Sequence, residues 1–155
     1  MSQIIAILNF EEGYSEVPYI DTRGYPTVAG GILIGPKGAS LSNYHFTVPR
    51  PVGDFWKRTI VDQKNLQMRK NPNIQAALNA SNDARQDVLI SMAYQMGVDG
   101  LAGFKNTLKL ISVGNFNAAA DGMLNSLWAK QTPARARRHA ELMRTGTYEI
   151  YKGLI

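Results

Sequence analysis

Apolar residues first recur at Ile4, Ile5, Ile7 and Leu8, a broad stripe on a short helix that Ser2 can cap and Gly13 can end in the left-handed conformation. From Val17 the period changes. Val17-Pro18-Tyr19-Ile20 and Thr27-Val28-Ala29-Gly30-Gly31-Ile32-Leu33-Ile34 are extended runs joined by Asp21-Thr22-Arg23-Gly24, and together they predict a β-hairpin. Pro18 and Pro26 fit only edge or strand-end positions, and the paired glycines at 30 and 31 permit a bulge or a close approach by another backbone. Residues 35–51, carrying Pro36, Gly38, Pro49 and Pro51, predict a loop with one short strand around Tyr44 to Val48.

Beyond the loop, Phe55, Trp56, Ile60, Val61 and Leu66 recur at helical spacing as far as Lys70. There Asn71-Pro72-Asn73 stops one helix and starts another. Ser81-Asn82-Asp83 caps a helix that runs through Val88, Leu89, Met92, Ala93 and Met96 to a stop at Gly97, and its apolar density predicts a buried central element. Shorter helices are expected from Gly103 to Val113 and from Phe116 to Asn125. Thr132-Pro133 opens another, cap residue then proline, which ends by Gly146, and a short terminal helix is expected around Tyr148 to Leu154. One helix, a small β-rich region and a run of further helices make the expected fold α+β with segregated elements.

The chain has 155 residues, enough for one domain with a real core, and 45% hydrophobic against 19% charged residues excludes a disordered chain. It has no cysteine, so a disulfide framework, a thiolate nucleophile and a Cys-ligated zinc are all ruled out. His45 and His139 are its only histidines and lie far apart, which leaves a His-rich metal site or a Ser-His-Asp triad poorly supported. No metal and no cofactor are expected. The opening aliphatic run, Ile4 to Leu8, is far short of the roughly 20 residues of a membrane span and has no cationic segment before it. We expect no stable membrane insertion, and a monomer made in the cytoplasm whose export needs outside help.

Net charge is +5, with the excess toward the C-terminus in Arg135, Arg137, Arg138, Arg144 and Lys152. Such a field favours an anionic partner, either nucleic acid or a cell-wall polymer, and is also what a plain solvated helix face looks like. No base-reading motif accompanies it, so nucleic acid is not the expected partner.

Carboxylates remain as the acid–base groups. Glu12 falls on the last turn of the first helix, where the dipole is unfavourable to an anion, so a cationic partner or partial protonation is expected there. A carboxyl disfavoured in its charged form is what a general acid requires. Taken singly, Glu12 is a solvated helix-end residue, Asp21 a turn former and Thr27 a strand residue. Two acids and a hydroxyl on different elements, in this order, suggest hydrolysis.

The ordered set Glu12-Gly13, Asp21-Thr22, Gly24-Tyr25 and Thr27 is followed by Gln95-Met96-Gly97, Ala102-Gly103-Phe104, Asn106, Trp128, Gln131-Thr132-Pro133, Arg135-Ala136 and Arg144-Thr145-Gly146-Thr147. In these residues the chain resembles the phage-type lysozymes of the T-even coliphage endolysin family, over most of residues 3–35 and 82–154. The resemblance implies a lysozyme-like fold with a small hairpin-containing lobe of about 13–55, a linking helix of about 53–70, and a helical lobe of about 71–155 joined by the N-terminal helix 3–12. It further implies hydrolysis of peptidoglycan between N-acetylmuramic acid and N-acetylglucosamine, with inversion, and release of the enzyme from the host cytoplasm to the wall.

Carried over residue by residue, the resemblance makes Glu12 the general acid, Asp21 the carboxylate that activates water or stabilises the cationic sugar, and Thr27 the hydroxyl that positions water. It makes Arg135 the partner of the acid, and Leu33, Tyr94, Gln95 and Thr107 cleft positions that contact sugar. The chain departs from the family pattern at Ile32, which replaces a histidine, and at Gly122, which replaces a sugar-contacting asparagine. Those departures and the divergent middle motivate an alternative, a catalytically weak muramidase-like module that binds peptidoglycan or acts as a scaffold. Retention of Glu12, Asp21 and Thr27 together speaks against it.

Overall fold

The computed structural model describes residues 1–155, which divide into two compact units. The smaller is Ile5–Ile60; the larger joins Met1–Ile4 to Val61–Ile155. The expected α+β class is what is found: a three-stranded antiparallel sheet near the N-terminus and eight α-helices.

In the smaller unit, α1 (Ile4–Glu12) leads into β1 (Ser15–Ile20), β2 (Pro26–Ala29) and β3 (Ile32–Leu33). The sheet order is β1-β2-β3, with Tyr19 opposite Thr27 and Ile20 opposite Pro26 in one pair, and Thr27 opposite Leu33 in the other. Pro26 opens its strand, where its missing N–H costs no ladder bond. The register of β1 slips between Ser15 and Tyr19, the stretch that contains Pro18. The hairpin thus gains a third strand, because the chain reverses again at Gly30-Gly31. Its core is Val28, Ala29, Ile32 and Val48, packed by Tyr14, Ile34 and Ile60. Tyr14 Oη donates to the carbonyls of Val48 (2.8 Å) and Pro49 (2.9 Å) and so ties the start of β1 to the residues leading into α2 (Arg50–Arg69).

One expectation fails here, and one helix buries a residue that apolar spacing does not mark. Residues 44–48 form no strand: Val48 N–H donates once to Glu16 O at 2.7 Å, and Pro49 then has no N–H with which to continue the pairing. A 3-10 turn at Leu41–Asn43, capped by Ser40, occupies the loop instead. On α2, Phe55 is 75% and Leu66 68% exposed, whereas Gly53, Lys57, Val61 and Met68 are buried. The helix is where the apolar spacing placed it, with Val61 buried and Ile60 against the core of the sheet, but the buried face also carries a lysine.

The larger unit contains α3 (Pro72–Asn79), α4 (Asp83–Ala102), α5 (Lys105–Ser112), α6 (Phe116–Leu124), α7 (Leu127–Gln131) and α8 (Pro133–Thr145). α8 packs on α6, α7 and α4, and α3 packs on α5 and α4. α4 is the expected central helix, with Val88, Leu89, Met92 and Ala93 buried. Its backbone breaks at Gly97 (φ 81°, ψ 162°), the expected stop, after which one further turn forms. Asn82, rather than Ser81, caps it by accepting from Arg85 N–H. Pro133 stands at the start of α8 as expected, but Thr132 does not cap it, because its hydroxyl donates to Trp128 O at 3.0 Å. The expected terminal helix is a single 3-10 turn, Glu149–Tyr151.

Arg85 closes the other end of α8. Its Nε donates to Met143 O (2.7 Å) and its Nη2 to Arg144 O (3.1 Å), while the guanidinium lies 3.6 Å from the centre of the Phe116 ring. A cation thus meets the negative end of the helix dipole and the last carbonyls together.

The chain ends are fastened at Asp87, which is 1% exposed. Its carboxylate accepts from Ser2 Oγ (2.6 Å), Gln3 N–H (2.7 Å) and Tyr148 Oη (2.6 Å). Burial raises its pKa above the usual carboxylate value, and the three donors only partly offset this. The folded state therefore holds this proton more tightly than the unfolded chain. The contribution is fully present below the unfolded carboxylate pKa of about 3.9 and is lost as pH rises through the higher folded value. The melting temperature of the wild type, measured relative to Asp87→Asn, is expected to fall between pH 4 and pH 7. A difference that grows over that range would contradict the assignment.

Candidate active site

In the smaller unit the site is built around the last residue of α1. Glu12 is half-buried, and its carboxyl is folded against the turn between β2 and β3: a Cβ added to Gly31 would stand 2.8 Å from Glu12 Oε2. Gly31 has φ +78°, so glycine here serves both the turn and the space the acid occupies. Ala29, the last residue of β2, is also left-handed at φ 55°, the one non-glycine residue in that state.

Asp21 sits on the turn between β1 and β2. Its Oδ1 accepts from Arg23 N–H and Tyr25 N–H, both at 2.9 Å, while Asp21 N–H donates to Tyr25 O and Gly24 N–H to Asp21 O. Two short hydrogen bonds thus orient the carboxylate through one oxygen, and two backbone bonds fix the turn that carries it. Thr27, on the central strand, is 1% exposed, and its hydroxyl donates to Tyr25 O at 2.8 Å. The donor is committed to the backbone, so only the lone pairs of Oγ1 can meet a further group. Leu33, its partner on β3, is half exposed.

Two residues near these acids escaped the reading of the sequence. Tyr19, across from Thr27 in the register, has its phenol pushed up by burial and then by the negative fields of Glu12 and Asp21. It therefore registers both acids at one place in the sheet. Its position two residues before Asp21 on a strand was the only available signal. Lys57 is fully buried, with Nζ 2.5 Å from Asn9 Oδ1 and in the space where a Gly30 side chain would have to go. A lysine among exposed aromatics on α2 offers no sign of this.

The other expected residues belong to the helical unit. Tyr94 and Gln95 are half-buried on α4, and Gln95 Oε1 accepts from Trp128 Nε1 at 2.8 Å. Trp128 in turn meets Phe104 edge-on, with ring centres 6.2 Å apart. Thr107 is 7% exposed on α5, and a side chain on Gly122 would begin 2.9 Å from its Oγ1, so the two positions face each other. Arg135 is 7% exposed on α8; its Nη2 donates to Ser91 Oγ (2.9 Å) and Ser91 O (3.3 Å). Ser91 Oγ also meets His139 Nε2 at 2.7 Å, and His139 Nδ1 meets Tyr151 Oη at 3.0 Å. Arg135 is thereby held at the head of a buried polar chain, which makes an inward-turned arginine affordable in an otherwise apolar helix interface.

No cluster of three or more His, Asp or Glu side chains is placed to hold a metal ion, and no helix is long and apolar enough to cross a membrane. Two surface hollows of about 420 and 670 Å³ in the helical unit contain none of the candidate residues.

This α+β architecture, with an acid closing the first helix and a second on the first turn of a small sheet, is that of a lysozyme-like glycoside hydrolase. No family model matches the chain. It is 30% identical, over 98% of its length and 99% of the relative, to probable T4-type lysozyme 1 of Dictyostelium discoideum, and 27% identical over the same shares to probable T4-type lysozyme 2 of that organism. Similarity at 28% identity also covers 94% of the chain and 28% of the pre-baseplate central spike protein Gp5 of Enterobacteria phage T4. The chain belongs to the T4-type lysozymes.

Proposed function

We propose that the protein cleaves the β-1,4 bond between N-acetylmuramic acid and N-acetylglucosamine of peptidoglycan. The observation that carries this reading is the convergence on one small sheet of Glu12, packed on the Gly31 turn, and Asp21, fixed in its turn by two hydrogen bonds to the carboxylate, with Tyr19 in the field of both. Glu12 protonates the leaving oxygen. Asp21 activates water or stabilises the oxocarbenium-like sugar, and Thr27 Oγ1 accepts a hydrogen bond from that water. Arg135 pairs with the acid, and Leu33, Tyr94, Gln95 and Thr107 contact sugar. The protein acts as a monomer and as a phage or prophage endolysin, held in the host cytoplasm until it reaches the wall. The peptidoglycan hydrolase gp36 of Pseudomonas phage phiKMV, to which 85% of this chain is 28% identical over 14% of that protein's length, is in keeping with the substrate class.

The reaction proceeds with inversion, a water attacking from the face opposite the leaving group. Digestion of purified sacculi is expected to give new reducing ends on N-acetylmuramic acid, formed first as the α-anomer. Reducing ends on N-acetylglucosamine would overturn the bond assignment, and an initial β-anomer would overturn inversion.

A further inference from the structure

Lys57 is a fully buried lysine that the hydrolytic chemistry above does not use. It enters from α2, with Gly53 and Val61 one turn away on the same buried face. Its ammonium meets Asn9 Oδ1, one turn before Glu12 on α1, and lies against Gly30, where any side chain would collide with Nζ and Cε. The same collision point is 3.6 Å from Gly13 O, just past the end of α1. The next residue, Gly31, is the one against which the Glu12 carboxyl packs. Lys57 and Glu12 thus press on adjacent residues of one turn.

Three further observations give this placement a purpose. The last turn of α1 carries no basic residue of its own, so a cation at its negative dipole end comes from another element. Ala29, directly before Gly30, is held left-handed, a conformation that persists only where surrounding contacts over-determine it. Finally, Asn9 is a neutral acceptor, and a methionine, one atom shorter, would fill most of the space without the cost of burying a charge. Packing alone does not call for an ammonium here.

We propose that Lys57 is a positioning residue for the Glu12 carboxyl, inserted from α2 against the end of α1 so that its charge holds the acid and the Gly30-Gly31 turn in one arrangement. The inference rests on the reading of Glu12 as the general acid. The charged groups in the field of Lys57 are Glu12 on α1 and Asp54 and Arg50 on α2, and Asp54 is itself paired with Arg50 at 3.6 Å. Burial lowers the Lys57 pKa to about 8, against the opposing pull of Asp54 and Glu12. The ammonium therefore costs stability at neutral pH, and the cost is relieved as pH rises from about 8 toward the ordinary lysine range.

Two measurements test the proposal. The first follows the Lys57 side chain by NMR in a protein labelled at lysine Cε, in the wild type and in Glu12→Gln. Coupling is reciprocal, so removal of the Glu12 charge is expected to move the Lys57 titration to lower pH, whether or not the protein lyses cells. The second compares wild type and Lys57→Met in sacculus digestion across pH 4–9. Lys57→Met is expected to melt a few degrees higher, to bind sacculi as before, and to turn over roughly ten- to a hundredfold more slowly. The alkaline side of its pH–rate profile is expected to change as well, because a buried cation beside the site is gone. An unmoved Lys57 titration in Glu12→Gln, or a folded Lys57→Met with the wild-type rate and profile, would overturn the proposal. If the wild type digests nothing, the hydrolytic reading fails instead, and the Lys57 titration still decides whether the two groups are coupled.

Discussion

Glu12→Gln is expected to reduce lysis of outer-membrane-permeabilised Gram-negative cells by about a thousandfold or more, while leaving the fold and sacculus binding intact. Gln has the size and shape of the acid and keeps its packing against Gly31, but it has no proton to give the departing sugar oxygen. General acid catalysis is typically worth about 10²–10⁴ in rate, and here a poor leaving group depends on it. Removing the Glu12 charge relieves the unfavourable end of the α1 dipole but also withdraws an anion from the field of Lys57, so only a small change in thermal stability is expected. Turbidity decay at low and high salt, beside a melting curve and a sacculus pull-down, separates lost chemistry from lost binding. A folded Glu12→Gln that cleared cells at the wild-type rate would remove Glu12 from the acid role.

Gly31→Ala is the second large effect. An alanine Cβ would stand 2.8 Å from Glu12 Oε2, closer than the two atoms tolerate, so the carboxyl must move. A displacement of about 1 Å at a reacting group costs on the order of a hundredfold in rate. The residue also has φ +78°, and a side chain there adds about 1 kcal/mol of backbone strain. Gly38→Ala provides the control, since its φ is +85° but nothing lies within 4 Å of the added carbon. Both variants are expected to lose about 1 kcal/mol in denaturant unfolding. Only Gly31→Ala is expected to lose lysis. Equal activity in the two would show that the contact with Glu12 is irrelevant.

Much of the helical half was legible from local signals because those signals are covalently near the structure they dictate. Asn71 accepts from the Asn73 and Ile74 amides at the head of α3, Pro133 opens α8, and Gly146 ends it left-handed at φ 70°. The break at Gly97 was readable for the same reason. Errors gathered where partners distant in the chain decide the outcome. Whether residues 44–48 join the sheet depended on a single bond to Glu16 and on Pro49 arriving next. The face of α2 that would be buried depended on what α1 and the sheet presented to it, and they presented Asn9 and Gly30. Apolar periodicity marked Val61, which is buried, together with Phe55 and Leu66, which lie in solvent, and gave no sign of Lys57.

The candidate acids were legible as an ordered set: Glu12 at a helix end, Asp21 on a turn and Thr27 on a strand follow from cap, turn and alternation rules applied within a few residues. That Asp21 would be fixed by its own turn also follows locally, since an aspartate in such a turn accepts from the amides two and four residues on. What packs on Glu12, which lysine lies buried beside its turn, and that Ser91, His139 and Tyr151 line up behind Arg135 were decided only by the tertiary structure. The reason is physical. A hydrogen bond within a turn is set by backbone geometry that a few residues encode, whereas the cost of a buried charge depends on every group the fold brings around it, from whatever part of the chain.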